Sequence, residues 1–233
     1  MSKANGTAKA TGRTRNGAPR PREATARRRE EILKAALATF GSKGFYNGPL
    51  TEIAEQADMT HAGILHHFGS KNQLLLEVLD YRDRSDVALL EGQHIPDGVD
   101  LFRHLVRTAA LNATRAGIVQ AYAVLSAESV TEGHPGRAYF VGRYEQLRGE
   151  VARAFEEWCH ELGVTDPGPI ANGSAAVLAA MDGLQIQWLL DPDAVDLAEA
   201  TAFAIDAVAS AVVAPTTSPL GPRSDWPPSP LGD

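Results

Sequence analysis

One cysteine in 233 residues excludes an intramolecular disulfide and leaves too few thiols for a zinc cluster, so Cys159 is expected as core filler. Long apolar runs are missing too. The nearest approach, residues 175–190, is interrupted by Asp182 and Gln185, which excludes a membrane span of about 18 or more uncharged residues. The first residues are polar and basic with no apolar segment among them, so no secretion signal is read there, and a cytoplasmic location without a membrane partner is expected. Strand alternation, a fixed-period repeat, a glycine-rich phosphate loop and a nucleophile elbow are all lacking. What is left is an Ala-rich chain of all-α class, for which no catalytic residue, no cofactor and no metal is expected.

Charge is abundant but unevenly placed. Before Glu30 stand nine basic residues (Lys3, Lys9, Arg13, Arg15, Arg20, Arg22, Arg27, Arg28 and Arg29) against the single acid Glu23, in a chain whose formal net charge is -7. A polyanion-seeking arm on an acidic body fits this asymmetry, and so does a solvated leader. Residues 1–24 carry no large apolar side chain after Met1 and are expected to be disordered. Residues 214–233, with six prolines and no periodicity, are expected to form a flexible tail.

Between these ends the apolar residues follow helical spacing. Ile32, Ala36 and Phe40 recur every four residues, which predicts a helix from Thr25 to about Ser42. Further on, Phe140, Tyr144, Leu147, Val151, Phe155 and Trp158 form a stripe, as do Val177, Met181, Leu184 and Trp188, and then Ala198, Ala202, Ile205, Val208 and Val212. Pro135 and Pro192 are expected in first helical turns, where a missing N–H is harmless.

The segment TEIAEQADMTHAGILHHFGSKNQ, residues 51–73, compresses three helix starts. Thr51 is expected to cap one helix whose apolar face is Ile53, Ala54 and Ala57. Thr60 is expected to cap a second, with Ile64, Leu65 and Phe68 on its face. Helices shorter than about 12 residues are marginal alone, so the two must lean on each other and on the first helix, with the second turned outward as in a helix-turn-helix. Ser70 with Gln73 has the spacing of a capping box and starts another helix through Leu74, Leu75, Val78 and Leu79. Lys71 falls in its first turn, where exposed N–H groups and an ammonium together suit a phosphate.

These motifs, ILKAALATFGSKGF, LTEIAEQADMTHAGILHHF and SKNQLL, resemble the DNA-binding domain of the TetR family of bacterial transcription regulators over about residues 32–78. The resemblance implies a helix-turn-helix domain at 25–81, followed by a larger effector-binding and dimerisation domain at 82–213. It implies that the helix from His61 to Phe68 enters the major groove of double-stranded DNA. Thr51 and Thr60 would contact phosphates, His61, Ala62 and Gly63 would face bases, and Lys71 would anchor the flanking strand. Asp58 stands where the family usually has glycine, and Leu65 where a tyrosine often touches the backbone, which passes polar contacts to His66 and His67. Either imidazole binds phosphate better when protonated, so affinity is expected to rise as pH falls from about 7.5 to 6.

The resemblance also implies a homodimer on a palindromic operator, paired through the last two helices, with Val177, Met181, Leu184, Trp188, Ala202, Ile205 and Val208 as interface candidates. An unidentified small-molecule effector would release a repressor from DNA, and Tyr122, Ser126, Glu128, Phe140, Arg143, Tyr144 and Trp188 are its candidate contacts, with Glu128 and Arg143 as a hypothetical pair. A helical protein-interaction module is the alternative, and a small all-α enzyme a weaker one. His61, His66 and His67 lack the spacing that would converge on a metal, and Cys159 next to His160 points away from it on a helix.

Overall fold

The computed structural model describes residues 21–88 and 96–216. These form α1 (Pro21–Asn47), α2 (Leu50–Gln56), α3 (His61–Phe68), α4 (Lys71–Ala88), α5 (Gly98–Asn112), α6 (Ala116–Glu128), α7 (Arg137–Leu162), α8 (Ile170–Leu190) and α9 (Leu197–Val213). No strand occurs among the described residues, so the all-α class expected from the periodicity is the one observed.

Three boundaries need correction. The first helix starts at Pro21, where proline's preset φ suits a first helical position, so residues 21–24 are helix and not part of the arm; residues 1–20 lie outside the described residues. The expected divide after Tyr81 falls inside α4, which runs through it unbroken to Ala88. Pro135 and Pro192 sit in the turns before α7 and α9, not within them. Asp196 caps α9 instead, its Oδ1 accepting from the N–H groups of Ala198 and Glu199 at 3.0 Å each. Of the expected tail, 217–233 lies outside the described residues.

Packing follows the stripes. Ile32, Ala36 and Phe40 of α1 are fully buried against Ile53 and Ala54 of α2, Ile64 and Phe68 of α3, and Leu74, Leu75 and Val78 of α4. Each large apolar side chain buried this way contributes about 1.5–3 kcal/mol, which is how two short helices are held. The same cluster continues into Ala121, Tyr122 and Leu125 of α6 and Phe140 of α7. At Gly41 the backbone of α1 comes so near α6 that an added Cβ would lie 3.0 Å from Ala121. A second cluster joins α5, α7, α8 and α9 through Phe102, Phe155, Val177 and Ile205, with Cys159 buried among them. A third, smaller one holds Ala109, Val119, Trp188 and Leu197.

Candidate DNA-binding site

The turn between α2 and α3 is closed by backbone bonds, with Met59 N–H donating to Ala54 O at 2.8 Å and Asp58 N–H to Glu55 O at 3.1 Å. Asp58 takes the left-handed conformation, φ 50, which aspartate tolerates better than most residues. Thr60 caps α3, its Oγ1 accepting from Gly63 N–H at 3.1 Å. Thr51 does not cap α2: the cap position is Pro49, which offers no side-chain acceptor, and Thr51 is an exposed residue inside the first turn. Ser70 Oγ accepts from Gln73 N–H at 3.1 Å and starts α4.

On α3 the inner face is Ile64 and Phe68; His61, Ala62 and His66 are exposed, and Gly63, Leu65 and His67 are half-buried. Thr51 and Thr60 are exposed on the same unit. Lys71 is less free than a surface lysine. Its Nζ donates to Tyr46 O at 3.3 Å and sits 4.8 Å from the Phe45 ring centroid. Burial pushes its pKa down, against an opposing pull from the Glu128 charge. Tyr46, which the sequence reading passed over, is an exposed aromatic beside it.

Two arginines counted in the basic arm are spent on the fold. Arg28 Nη1 donates to Ala57 O at 3.0 Å at the end of α2. Arg29 donates to His67 O at the end of α3 and pairs with Glu77 of α4, its guanidinium 4.3 Å from the Phe68 ring centroid. Capping carbonyls at two helix ends satisfies orphan acceptors and places positive charge where the helix dipoles favour it. Exposed Arg22 and the largely exposed Arg27 remain of the arm among the described residues.

His67 is held below the usual histidine pKa, first by burial, then by the positive charges of His66, Arg29 and Arg28. This corrects the expected pH window for that residue. Protonation of His67, and any phosphate contact it strengthens, belongs below about pH 6.5. His67→Gln should therefore leave DNA affinity between pH 7.5 and 6.5 unchanged at constant salt and reduce only the gain below it. A variant that flattens the upper window instead would contradict this placement.

The effector candidates separate. Tyr122, Phe140, Arg143 and Tyr144 converge between α6, α7 and α8, with the Tyr122 and Phe140 rings edge to face at 5.4 Å. Tyr144 Oη donates to Asp182 Oδ2 at 2.6 Å, the Arg82 guanidinium lies 4.2 Å from the Tyr122 ring centroid, and Arg143 Nε stands 3.7 Å from Asp83 Oδ2. Tyr139 Oη also bonds Asp83. Burial raises the pKa of Asp182 and Tyr122. Arg82, Asp83, Tyr139 and Asp182 had been missed, because single polar residues on long helices give no periodic signal. The remaining candidates lie elsewhere: Ser126 Oγ donates to Ala123 O on its own helix, Trp188 is in the third cluster, and Glu128 bonds Phe45 N–H at 2.6 Å. The Glu128 and Arg143 pairing is thus overturned, since each has another partner.

The interface candidates also need correction. Val177, Met181, Trp188 and Ile205 are enclosed by this chain's own side chains and cannot face a second copy, while Leu184, Ala202 and Val208 are half-buried. The large apolar residues that α8 and α9 do expose are Ile186, Leu190 and Phe203, at 47%, 81% and 78%.

A helix-turn-helix with its second helix outward, mounted on a larger all-helical body, defines a DNA-binding regulator as the class of protein. Residues 32–78 match the model of bacterial regulatory proteins, tetR family. Over that segment the chain is similar to the TetR family of transcription regulators. It is 28% identical to the HTH-type transcriptional regulator BetI of Agrobacterium fabrum, over 77% of this chain and 85% of that one. With the HTH-type transcriptional regulator TtgR of Pseudomonas putida it shares 29%, over 76% and 88%. Among solved structures, a transcriptional regulator from Saccharomonospora viridis in complex with choline aligns at TM-score 0.65 and 21% identity, covering 80% of this chain and 98% of that one. SmeT, the repressor of the Stenotrophomonas maltophilia multidrug efflux pump SmeDEF, aligns at 0.62 and 18%, covering 79% and 89%. At those identities the structures speak to the fold alone. No helix among the described residues is long and apolar enough to cross a membrane.

Proposed function

We propose that this regulator is a homodimeric repressor that holds a palindromic operator with one α3 in each major groove and leaves it when a small molecule occupies the helical body. The observation that carries the reading is the two-sidedness of α3. Ile64 and Phe68 are buried, and His61, Ala62 and His66 face solvent on the unit that also exposes Thr51 and Thr60. In this reading His61, Ala62 and Gly63 meet bases, while Thr51, Thr60, His66, His67 and Lys71 meet phosphates; α1 to α3 with the start of α4 form the DNA-binding unit. A helix of eight residues contacts too few base pairs for specific affinity alone, so a twofold pair is required. Ile186, Leu190 and Phe203 supply the apolar patch on which two copies meet. Tyr122, Phe140, Arg143 and Tyr144 form the effector site, with an occupant that shifts the dimer away from the spacing DNA requires.

Selection from random duplexes with the purified full-length chain tests it. An inverted repeat whose half-sites are centred about one helical turn, roughly 10 base pairs, or a multiple of it apart is expected. Enrichment of nothing, or of one asymmetric site, would overturn the paired reading.

A further inference from the structure

Glu128 ends α6, yet its carboxylate is seated in the unit that carries α3. α1 breaks at Gly44, φ 76 and ψ 172, and the break turns Phe45 N–H away from a helical acceptor. Glu128 Oε2 accepts that N–H at 2.6 Å, across 83 positions of sequence. The fit is close: a Cβ on Gly44 would lie 2.0 Å from Glu128 Oε1. Around the carboxylate the turn between α6 and α7 adds a second wall. His134 is buried there, its ring edge to face with those of Phe45 and Tyr46 at 5.4 Å each. His134 Nδ1 accepts from Gly136 N–H at 3.1 Å, which leaves the neutral ring's proton on Nε2, 3.9 Å from Glu128 Oε2 and with no hydrogen-bond partner of its own. Lys71 Nζ stands 4.8 Å from the Phe45 ring centroid and is bonded to the Tyr46 carbonyl.

Apolar packing of α6 on α1, as at Gly41 and Ala121, is non-directional and permits small rotations. A charge-assisted hydrogen bond at a single backbone N–H does not. We propose that Glu128 is a positioning residue for DNA binding: by gripping the break in α1 it fixes the angle of the DNA-binding unit on the helical body, and so the distance between the two α3 helices of the dimer. The proposal rests on the paired-operator reading above.

Its test uses the full chain with Glu128→Ala and Glu128→Gln, and Glu132→Ala, an exposed neighbour, as control. Two measurements are made: affinity for the selected duplex and for copies with the half-sites moved one base pair closer or farther, and amide exchange of the peptide covering 41–47. In Glu128→Ala the amides exchange faster, affinity for the best duplex falls roughly 10-fold, and discrimination among spacings flattens to a few-fold. Glu128→Gln, which keeps an acceptor oxygen but no charge, falls between, and it carries both readouts if the alanine variant does not fold. An unchanged spacing preference overturns the proposal, as does a loss equal on every spacing. If the wild type selects no paired duplex, it is the operator reading that has failed; the grip then stands or falls on exchange alone, with unchanged exchange overturning it.

Discussion

Phe203→Glu should yield a folded, monomeric chain whose affinity for the selected duplex is at least about 100-fold lower. Phe203 is 78% exposed on α9, so its loss removes nothing from this chain's own core and the fold should survive. In a twofold interface the substitution counts twice, deleting two phenyl rings worth about 1.5–3 kcal/mol each and placing two carboxylates on the proposed meeting surface. Without the partner, one half-site remains, and most of the specific affinity goes with the second. Light scattering after gel filtration reads the mass, and fluorescence anisotropy on the duplex reads the affinity. Val141→Glu, at an exposed apolar position on α7, should change neither. A Phe203→Glu chain that keeps dimer mass would remove α8 and α9 as the meeting surface.

Gly44→Ala should cost about 3 kcal/mol or more of stability, read as a lower denaturant midpoint. Two causes add. The backbone at φ 76 and ψ 172 lies where side chains other than glycine's are strained by about 1–3 kcal/mol, and the new methyl would meet the Glu128 carboxylate head-on, an overpacking of about 1–3 kcal/mol. Adding Glu128→Ala to Gly44→Ala should recover part of the loss, because the collision goes and the backbone strain stays. The double variant is then less destabilised than the two single effects combined. A Gly44→Ala midpoint near wild type would mean the break relaxes into continuous helix.

Much of the DNA-binding unit was legible because its signals are local. Thr60 and Gly69 bracket α3 at His61–Phe68, and Ser70 with Gln73 marks the start of α4. Where a local signal competed with another, the reading slipped: the hydroxyl of Thr51 drew the cap two residues past Pro49. Arg28 and Arg29 were counted with a basic run, although Arg29 stands three and four residues before Ile32 and Leu33 and so shares the buried stripe, a spacing that could have revealed it. The apolar stripe of α8 could not say which core it faced. Val177 and Met181 satisfy the same periodicity whether their neighbours come from this chain or a second copy. The contacts of Glu128 with Phe45, and of Arg143 with Asp83, join distant segments and leave no trace in spacing.

The unbroken course of α4 has a mechanical consequence. Lys71 and Asp83 sit on one rod, twelve residues or about 18 Å apart at 1.5 Å per residue, with Tyr139 and Arg143 holding one end and the Tyr46 carbonyl touching the other. As a stiff lever pivoting at Asp83, it would carry its ammonium about 1.5 Å for a tilt of about 5°, half the length of a hydrogen bond. On the operator reading proposed above, leverage of that size would turn a small strain among the tyrosines of α6 and α7 into a gained or forfeited grip on a sugar-phosphate strand.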